Sequence, residues 1–267
     1  MRLLNGTELA GFIKERHAQQ VRALRADKIY PKLAIVQAKD DPIINTYVRL
    51  KQEYGADIGV EVERHISLQS EVPKILNKLS ISKEVHGVIV QLPLEDPSAT
   101  DKIVNLVDPK KDVDALGDKS EFEPATPMAI LWLLNGYNIE LRGKRILLIG
   151  KGKLVGAPLE KMLKQSDLNV EVIDREIPDL KEHALEADII ITATGRPAIL
   201  NPDMIKTGAV IVDAGVASES GKTVGDLAPE VYDRQDLTLT PLKGGVGPLT
   251  VCALFENVIR AARNAKS

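Results

Sequence analysis

Four short apolar runs in the second half of the chain limit its fold more than any other feature: Arg145 to Ile149, Asn169 to Ile173, Ile189 to Thr192 and Ala209 to Val212. Read as strands they are close to continuously apolar, and such strands are covered by helices on both faces, as in a doubly wound parallel sheet. The first half follows the same alternation. Strands are expected at Leu33 to Gln37, Val60 to His65 and Gly87 to Leu92, and helices at Thr7 to Ala26, Asp41 to Asp57, Glu71 to Leu79 and Thr100 to Val107. Short β-branched runs separated by longer segments of helical period are the signature of parallel strands joined by crossover helices, so the fold class is α/β.

Between the halves the texture changes. From Asp108 to Pro127 the chain carries three prolines, the charged run Lys110-Lys111-Asp112 and no clear period, which reads as a linker and a domain boundary. A helix follows from Thr126 to Leu134, and the amphipathic stretch Leu249 to Ala265 reads as a last helix crossing back onto the first domain. The expected division is therefore residues 1–125, completed by 249–267, and residues 126–248.

Composition excludes whole classes of function. Lys plus Arg total 35 against 38 for Asp plus Glu, a net charge of −3, so nothing electrostatic favours nucleic acid or an anionic membrane. The lone Cys252 cannot form an internal disulfide, and His17, His65, His86 and His183 show no metal-ligand spacing, so no metal is expected. Polar residues come too soon after Met1 for a signal peptide, and no apolar run reaches the roughly 18 residues of a membrane span, so the expected compartment is the cytoplasm.

The first of the four runs leads into Gly150-Lys151-Gly152-Lys153-Leu154-Val155-Gly156, followed by Ala157-Pro158 and a helical pattern. A strand, a glycine turn and a helix start put backbone N–H groups and the positive end of a helix where a pyrophosphate can sit. In this G-x-G-x-x-x-G spacing Gly150 would make the turn, Gly152 would let backbone approach phosphate, and Gly156 would allow the helix to pack close on the strand. These are the marks of a Rossmann-like nucleotide domain, although three glycines in such a turn could serve backbone geometry alone. The next strand ends at Asp174-Arg175, near the distance at which an acidic residue meets the adenosine ribose.

In the first half, Tyr47 and Lys51 are spaced i, i+4 and share one helix face. Gln91 closes an apolar strand and opens Leu92-Pro93-Leu94, at the strand end where α/β sheets bind ligands. By spacing alone both have ordinary readings, a solvated lysine and a strand cap.

Several separated segments, taken together, resemble the bifunctional methylenetetrahydrofolate dehydrogenase/cyclohydrolase family. Tyr47-Val48-x-x-Lys51, Gly87 through Leu94, and Lys111-Asp112-Val113-Asp114 are similar to its folate half. Val155-Gly156-x-Pro158, Ala187-Asp188-Ile189, Gly195-x-Pro197, Val212-Asp213-x-Gly215, Val224-Gly225-Asp226 and Thr240 through Thr250 are similar to its cofactor half. The resemblance implies that residues 1–125 form a folate-binding domain and residues 126–248 the NAD(P)-binding one, with the active site in the cleft between them. It makes Lys51 the catalytic lysine, Tyr47 the aromatic that packs on the folate, Gln91 (beside Leu92) the partner of that lysine, and Asp114 the carboxylate that binds the pterin. It further assigns Gly150, Lys151, Gly152, Val155 and Gly156 to the cofactor phosphates, Gly195 to the cofactor and Val216 to the nicotinamide. The turn formed by Gly244, Gly245, Gly247 and Pro248 would close over the folate.

The chain departs from the family pattern in places. Asp114 is followed by Ala115-Leu116 where glycine and an aromatic are usual, Gly150-Lys151-Gly152 replaces Gly-Arg-Ser, and Lys243 replaces a proline. The expected activity is oxidation of 5,10-methylenetetrahydrofolate with NAD(P), then hydrolysis of the methenyl product to 10-formyltetrahydrofolate, by a homodimer. Asp174 favours NAD, because it would repel a 2′-phosphate; Lys151 and Arg175 could pair with one, and NADP is the expectation. Two other readings stay open: an NAD(P)-dependent dehydrogenase of another small acid, like those acting on shikimate or amino acids, and a catalytically silent folate or nucleotide sensor.

Overall fold

The computed structural model describes residues 1–174, 179–219 and 222–265. In chain order the elements are β1 (Arg2–Leu3), α1 (Gly6–Ala26), β2 (Lys32–Gln37), α2 (Pro42–Ile58), β3 (Glu61–Ile66), α3 (Val72–Ile81), β4 (Gly87–Gln91), α4 (Thr100–Val104), α5 (Ala125–Gly136), β5 (Ile146–Ile149), α6 (Gly156–Gln165), β6 (Val170–Ile173), α7 (Leu180–Glu186), β7 (Ile189–Thr192), β8 (Val210–Asp213), β9 (Ala217–Glu219), β10 (Lys222–Val224), β11 (Thr238–Leu239) and α8 (Val246–Asn264). They form two compact units. One comprises Met1–Ala10 with Thr126–Thr250, and the other Gly11–Ala125 with Val251–Ser267.

The unit built on residues 126–250 holds a six-stranded sheet in the order β1-β11-β8-β7-β5-β6, every neighbouring pair parallel, and a separate antiparallel pair of β9 and β10. One side of the sheet buries Leu147, Ile149, Ile190, Ile211 and Leu239 against Ala184, Ile205, Val231 and Leu237. Strand β5 has β6 on one side and β7 on the other, so chain order reverses there and the loops after β5 and β7 flank a crevice at the carboxyl edge.

The second unit carries three parallel strands in the order β3-β2-β4. Ala34, Val36, Val88 and Val90 pack on Val72, Leu76 and Leu79 of α3 and on Ile103 and Val104 of α4. The ring of Tyr54 on α2 stacks at 4.9 Å on Phe255 of α8. Order reverses again at β2, whose last residue, Gln37, lies in register with Gln91 at the end of β4.

Three expectations need correction. Residues 1–10 lie in the unit of residues 126–250, not with the first half, because β1 pairs with β11 and Leu4 is fully buried. The expected linker is ordered structure: Val88 N–H donates to Lys111 O at 2.7 Å, and the Lys111 ammonium donates to the carbonyls of Leu79, Ser80 and Ser82 that end α3. Finally, α4 ends at Val104, three residues before the expected Val107.

Candidate active site

Helix α2 starts where Asp41 accepts the N–H groups of Ile43 and Ile44 beside Pro42, and stops at Gly59, whose φ of 83° only glycine adopts cheaply. Ile44, Val48, Gly55 and Ile58 form its buried stripe. Tyr47 and Lys51 lie on one face of the helix, the phenol 40% exposed. The Lys51 ammonium donates to Gln91 Oε1 at 2.7 Å, and Gln91 Nε2 donates to the Leu92 carbonyl at 3.1 Å, which fixes which end of the amide faces the lysine. Burial lowers the pKa of Lys51, and the negative charge of Asp114 partly opposes that. Burial likewise raises the pKa of Asp114, opposed by Lys51. Lysine, glutamine and aspartate thus come together from α2, the end of β4 and the loop after α4.

That loop is held by its own polar groups. Asn257 of α8, fully buried, donates to the carbonyls of Val113 and Glu123, both at 2.9 Å. The Asp112 carboxylate accepts N–H groups from Leu116 and Gly117, and burial pushes it up to about 6. The sequence marked Asp112 as part of a motif and gave it no role.

In the other unit, Gly150 has a φ of 101°, and a Cβ on it would lie 2.7 Å from the Ala193 carbonyl oxygen. A Cβ on Gly156 would lie 1.9 Å from Gly150 O, whereas one on Gly152 would meet nothing within 4 Å. Gly150 and Gly156 are therefore required by the packing, and Gly152 borders open space. Val155 caps α6 with no side-chain hydrogen bond; Ala157 N–H donates to Gly152 O at 3.1 Å and Pro158 carries no N–H, so Gly156 N–H is what the helix start offers an anion. Glycine spacing, open space and helix start together fit a dinucleotide phosphate. Lys151 forms an ion pair with Glu160 at 3.0 Å. Asp174 follows β6 and is exposed; Arg175 lies outside the described residues.

The loops after β7 and β8 are tied by two carboxylates, Asp226 buried and Asp213 half-buried, that sequence reasoning left without a role. Asp226 accepts the N–H groups of Thr194 and Arg196 at 2.8 and 2.9 Å. Asp213 accepts those of Gly215 and Asp226, together with the Thr192 hydroxyl. Burial raises the pKa of Asp213, against the N–H of Asp226. This bracing sets Gly195, at a φ of 64°, against the Val216 carbonyl and leaves the Val216 side chain 61% exposed. Both aspartates sit in the Val212-Asp213-x-Gly215 and Val224-Gly225-Asp226 blocks, which were the available signal.

The glycine turn before α8 packs on the N-terminal segment. Thr7 N–H donates to Gly244 O at 3.0 Å, and a Cβ on Gly6 would lie 1.7 Å from Gly245 O. Gly247 is exposed and Pro248 half-buried. Among the described residues no group of histidine, cysteine or carboxylate side chains could hold a metal ion, and no helix is long and apolar enough to cross a membrane.

Two family models match the chain: the tetrahydrofolate dehydrogenase/cyclohydrolase catalytic domain over residues 4–114 and the NAD(P)-binding domain of the same family over residues 124–266. A bifunctional protein FolD of Campylobacter jejuni (strain RM1221) is 36% identical, over 99% of this chain and 99% of its own. The crystal structure of the bifunctional enzyme FolD, a methylenetetrahydrofolate dehydrogenase/cyclohydrolase from Campylobacter jejuni, is similar with a TM-score of 0.93 at 34% identity, covering 99% of each chain. A Trypanosoma brucei methylenetetrahydrofolate dehydrogenase-cyclohydrolase, complexed with NADP cofactor and inhibitor, has a TM-score of 0.92 at 26% identity, covering 99% of this chain and 98% of that one. Both domain models match in order and the relatives span nearly the whole sequence: the chain belongs to the tetrahydrofolate dehydrogenase/cyclohydrolase family, as an enzyme with a catalytic and an NAD(P)-binding domain.

Proposed function

We propose that the protein oxidises 5,10-methylenetetrahydrofolate to the 5,10-methenyl compound with NADP and hydrolyses that product to 10-formyltetrahydrofolate. The observation that carries this reading is the Lys51–Gln91 contact at 2.7 Å, with Lys51 in electrostatic contact with Asp114. Asp114 would anchor the pterin, since a carboxylate can accept paired hydrogen bonds from the 2-amino-4-oxo ring. Tyr47, one turn before Lys51, would pack on the folate, and Leu92 would line the same side. When bound, the nicotinamide cofactor accepts the hydride. Gly152, Val155 and Gly156 would hold its phosphates on backbone N–H groups, with Gly150, whose own N–H donates to Ile173 O at 2.7 Å, making the turn, while Gly195 and Val216 would meet its nicotinamide end. Lys51, its ammonium destabilised by burial, can give up its proton below the usual lysine range. It can then take a proton from the water that attacks the methenyl carbon, with Gln91 Oε1 holding the amine in place. The Gly244, Gly245, Gly247 and Pro248 turn would close over the folate.

NADP rather than NAD is supported by the NADP cofactor held by the similar Trypanosoma brucei enzyme and by Lys151 in the phosphate loop; Asp174 argues the other way. A tenfold preference for NAD in kcat/KM, about 1.4 kcal/mol, would reverse that choice. We also propose a cytoplasmic homodimer, the commonest closed assembly. Light scattering at micromolar concentration checks the dimer: a mass equal to the 29.1 kDa chain counts against it.

The reaction is tested by following reduced cofactor and methenyl absorbance together. Lys51→Ala should abolish the hydrolysis and sharply lower the oxidation in a protein that stays folded. Wild-type turnover in both assays would remove Lys51 from the chemistry.

A further inference from the structure

We propose that Asp112 is a positioning residue for the folate site: its carboxylate holds the turn of residues 112–117 in the one conformation that presents Asp114 to Lys51. This rests on the reading of Asp114 as the pterin anchor. The turn begins on the sheet, where Asp112 bridges to Val88 in parallel and Val88 N–H bonds to Lys111 O. Val113 is fully buried, both of its methyl carbons 3.0 Å from where a Cβ on Gly87 would lie, closer than ordinary van der Waals contact. Asp114 comes next. The chain then turns through Ala115, whose φ of 55° lies in the left-handed region that a side chain with a Cβ disfavours.

An alanine does not hold that conformation unaided. Asp112 over-determines it from both ends of the turn: its carbonyl accepts Ala115 N–H at 3.1 Å and the Ser120 hydroxyl at 2.8 Å, and its carboxylate accepts Leu116 N–H at 3.4 Å and Gly117 N–H at 2.8 Å. Gly117 allows this approach, because a Cβ there would meet Asp112 Oδ2 at 3.0 Å. Only 3% of Asp112 is exposed, so no water replaces these bonds if the carboxylate is lost. Glycine at position 115 would adopt the left-handed backbone freely, so dependence on Asp112 follows from the alanine in this chain.

The test is a cycle of Asp112→Asn and Ala115→Gly. An asparagine keeps the shape but sets an NH2 group against one of the two N–H donors. D112N should raise KM for methylenetetrahydrofolate about tenfold with KM for NADP unchanged, and the defect should shrink to about threefold when D112N is measured against A115G alone. Lys51, read by NMR of the 13C-methylated amine and assigned with Lys51→Arg, should titrate at lower pH in D112N, since the negative charge that favours its ammonium has moved away. Gly117→Ala, which crowds Asp112 Oδ2, should give the same signature and carries the test if D112N does not fold. The inference is overturned by a wild-type folate KM and Lys51 titration in both variants, by equal losses at both substrates, or by a D112N defect undiminished in A115G. If wild type itself does not turn over the folate, the functional reading fails, and the Lys51 titration alone decides the role of Asp112.

Discussion

A left-handed alanine is an uncommon place for a chain to keep a side chain. At Ala115 the backbone, with its φ of 55°, follows directly on Asp114 and bears on where that carboxylate goes. Ala115→Gly should therefore stabilise the protein, by about 1 kcal/mol after the extra chain entropy of glycine is allowed for, measured as a shift of the urea midpoint at constant slope. An unchanged or lower midpoint would mean that the turn carries no strain. Lys51, Gln91 and Asp114 were legible in the sequence because each stands in a short motif, and the structure adds the hydrogen bond and the mutual charge effects among them. The loop-bracing by Asp112, Asp213 and Asp226 was not legible. Their partners are backbone N–H groups, which look alike in every sequence and acquire an address only when the loops fold.

Among the elements, the apolar strands were readable within a residue or two, because burial on both faces leaves little freedom in composition. The two-residue strands β1 and β11 were not: nothing local distinguishes Arg2-Leu3, which is a strand only because β11 is there, and β11 is one because it lies between β1 and β8. The loop after α4 was misread as a linker for a related reason, since prolines and charges look like a tether until Lys111 is seen capping α3. In the unit of Gly11–Ala125, α1 and α8 meet through Arg16 and His17, both within hydrogen-bond distance of the Glu256 carboxylate. The His17 hydrogen bond, with the Arg16 charge beside it, holds Glu256 below its usual 4.5. A depressed carboxylate adds stability above the unfolded value and loses it as pH falls through the folded one. Glu256→Gln should therefore cost about 1–3 kcal/mol at neutral pH, and the gap from wild type should close as denaturation is measured progressively below pH 4.5. A gap independent of pH would assign the loss to packing instead.

For the whole molecule, the division into two units does not follow the sequence in two blocks. The boundaries after Ala10 and Thr250 fall inside the continuous helices α1 and α8, and the third lies at the start of α5. Deleting residues 1–4 should therefore damage the opposite half of the chain. It removes a strand from the six-stranded sheet, along with the fully buried Leu4, and a loss of about 2–5 kcal/mol is expected from that side chain. Hydrogen exchange should show the added opening in β11 and β8; exchange that speeds up only in β2–β4 would contradict the assignment of the N-terminus.

The pairing of β1 with β11 also has a consequence for how the protein is made. A ribosome releases Arg2 and Leu3 long before Thr238 and Leu239, so the edge of the larger sheet stays open while all the chain between them is made. The other unit waits longer still, because Phe255 and Asn257, which cover Tyr54 and hold Val113, emerge after it. Domains ordinarily fold one after the other as they appear. Here both should reach their final state only after α8 has emerged, leaving the nascent protein dependent on whatever shields exposed β edges until then.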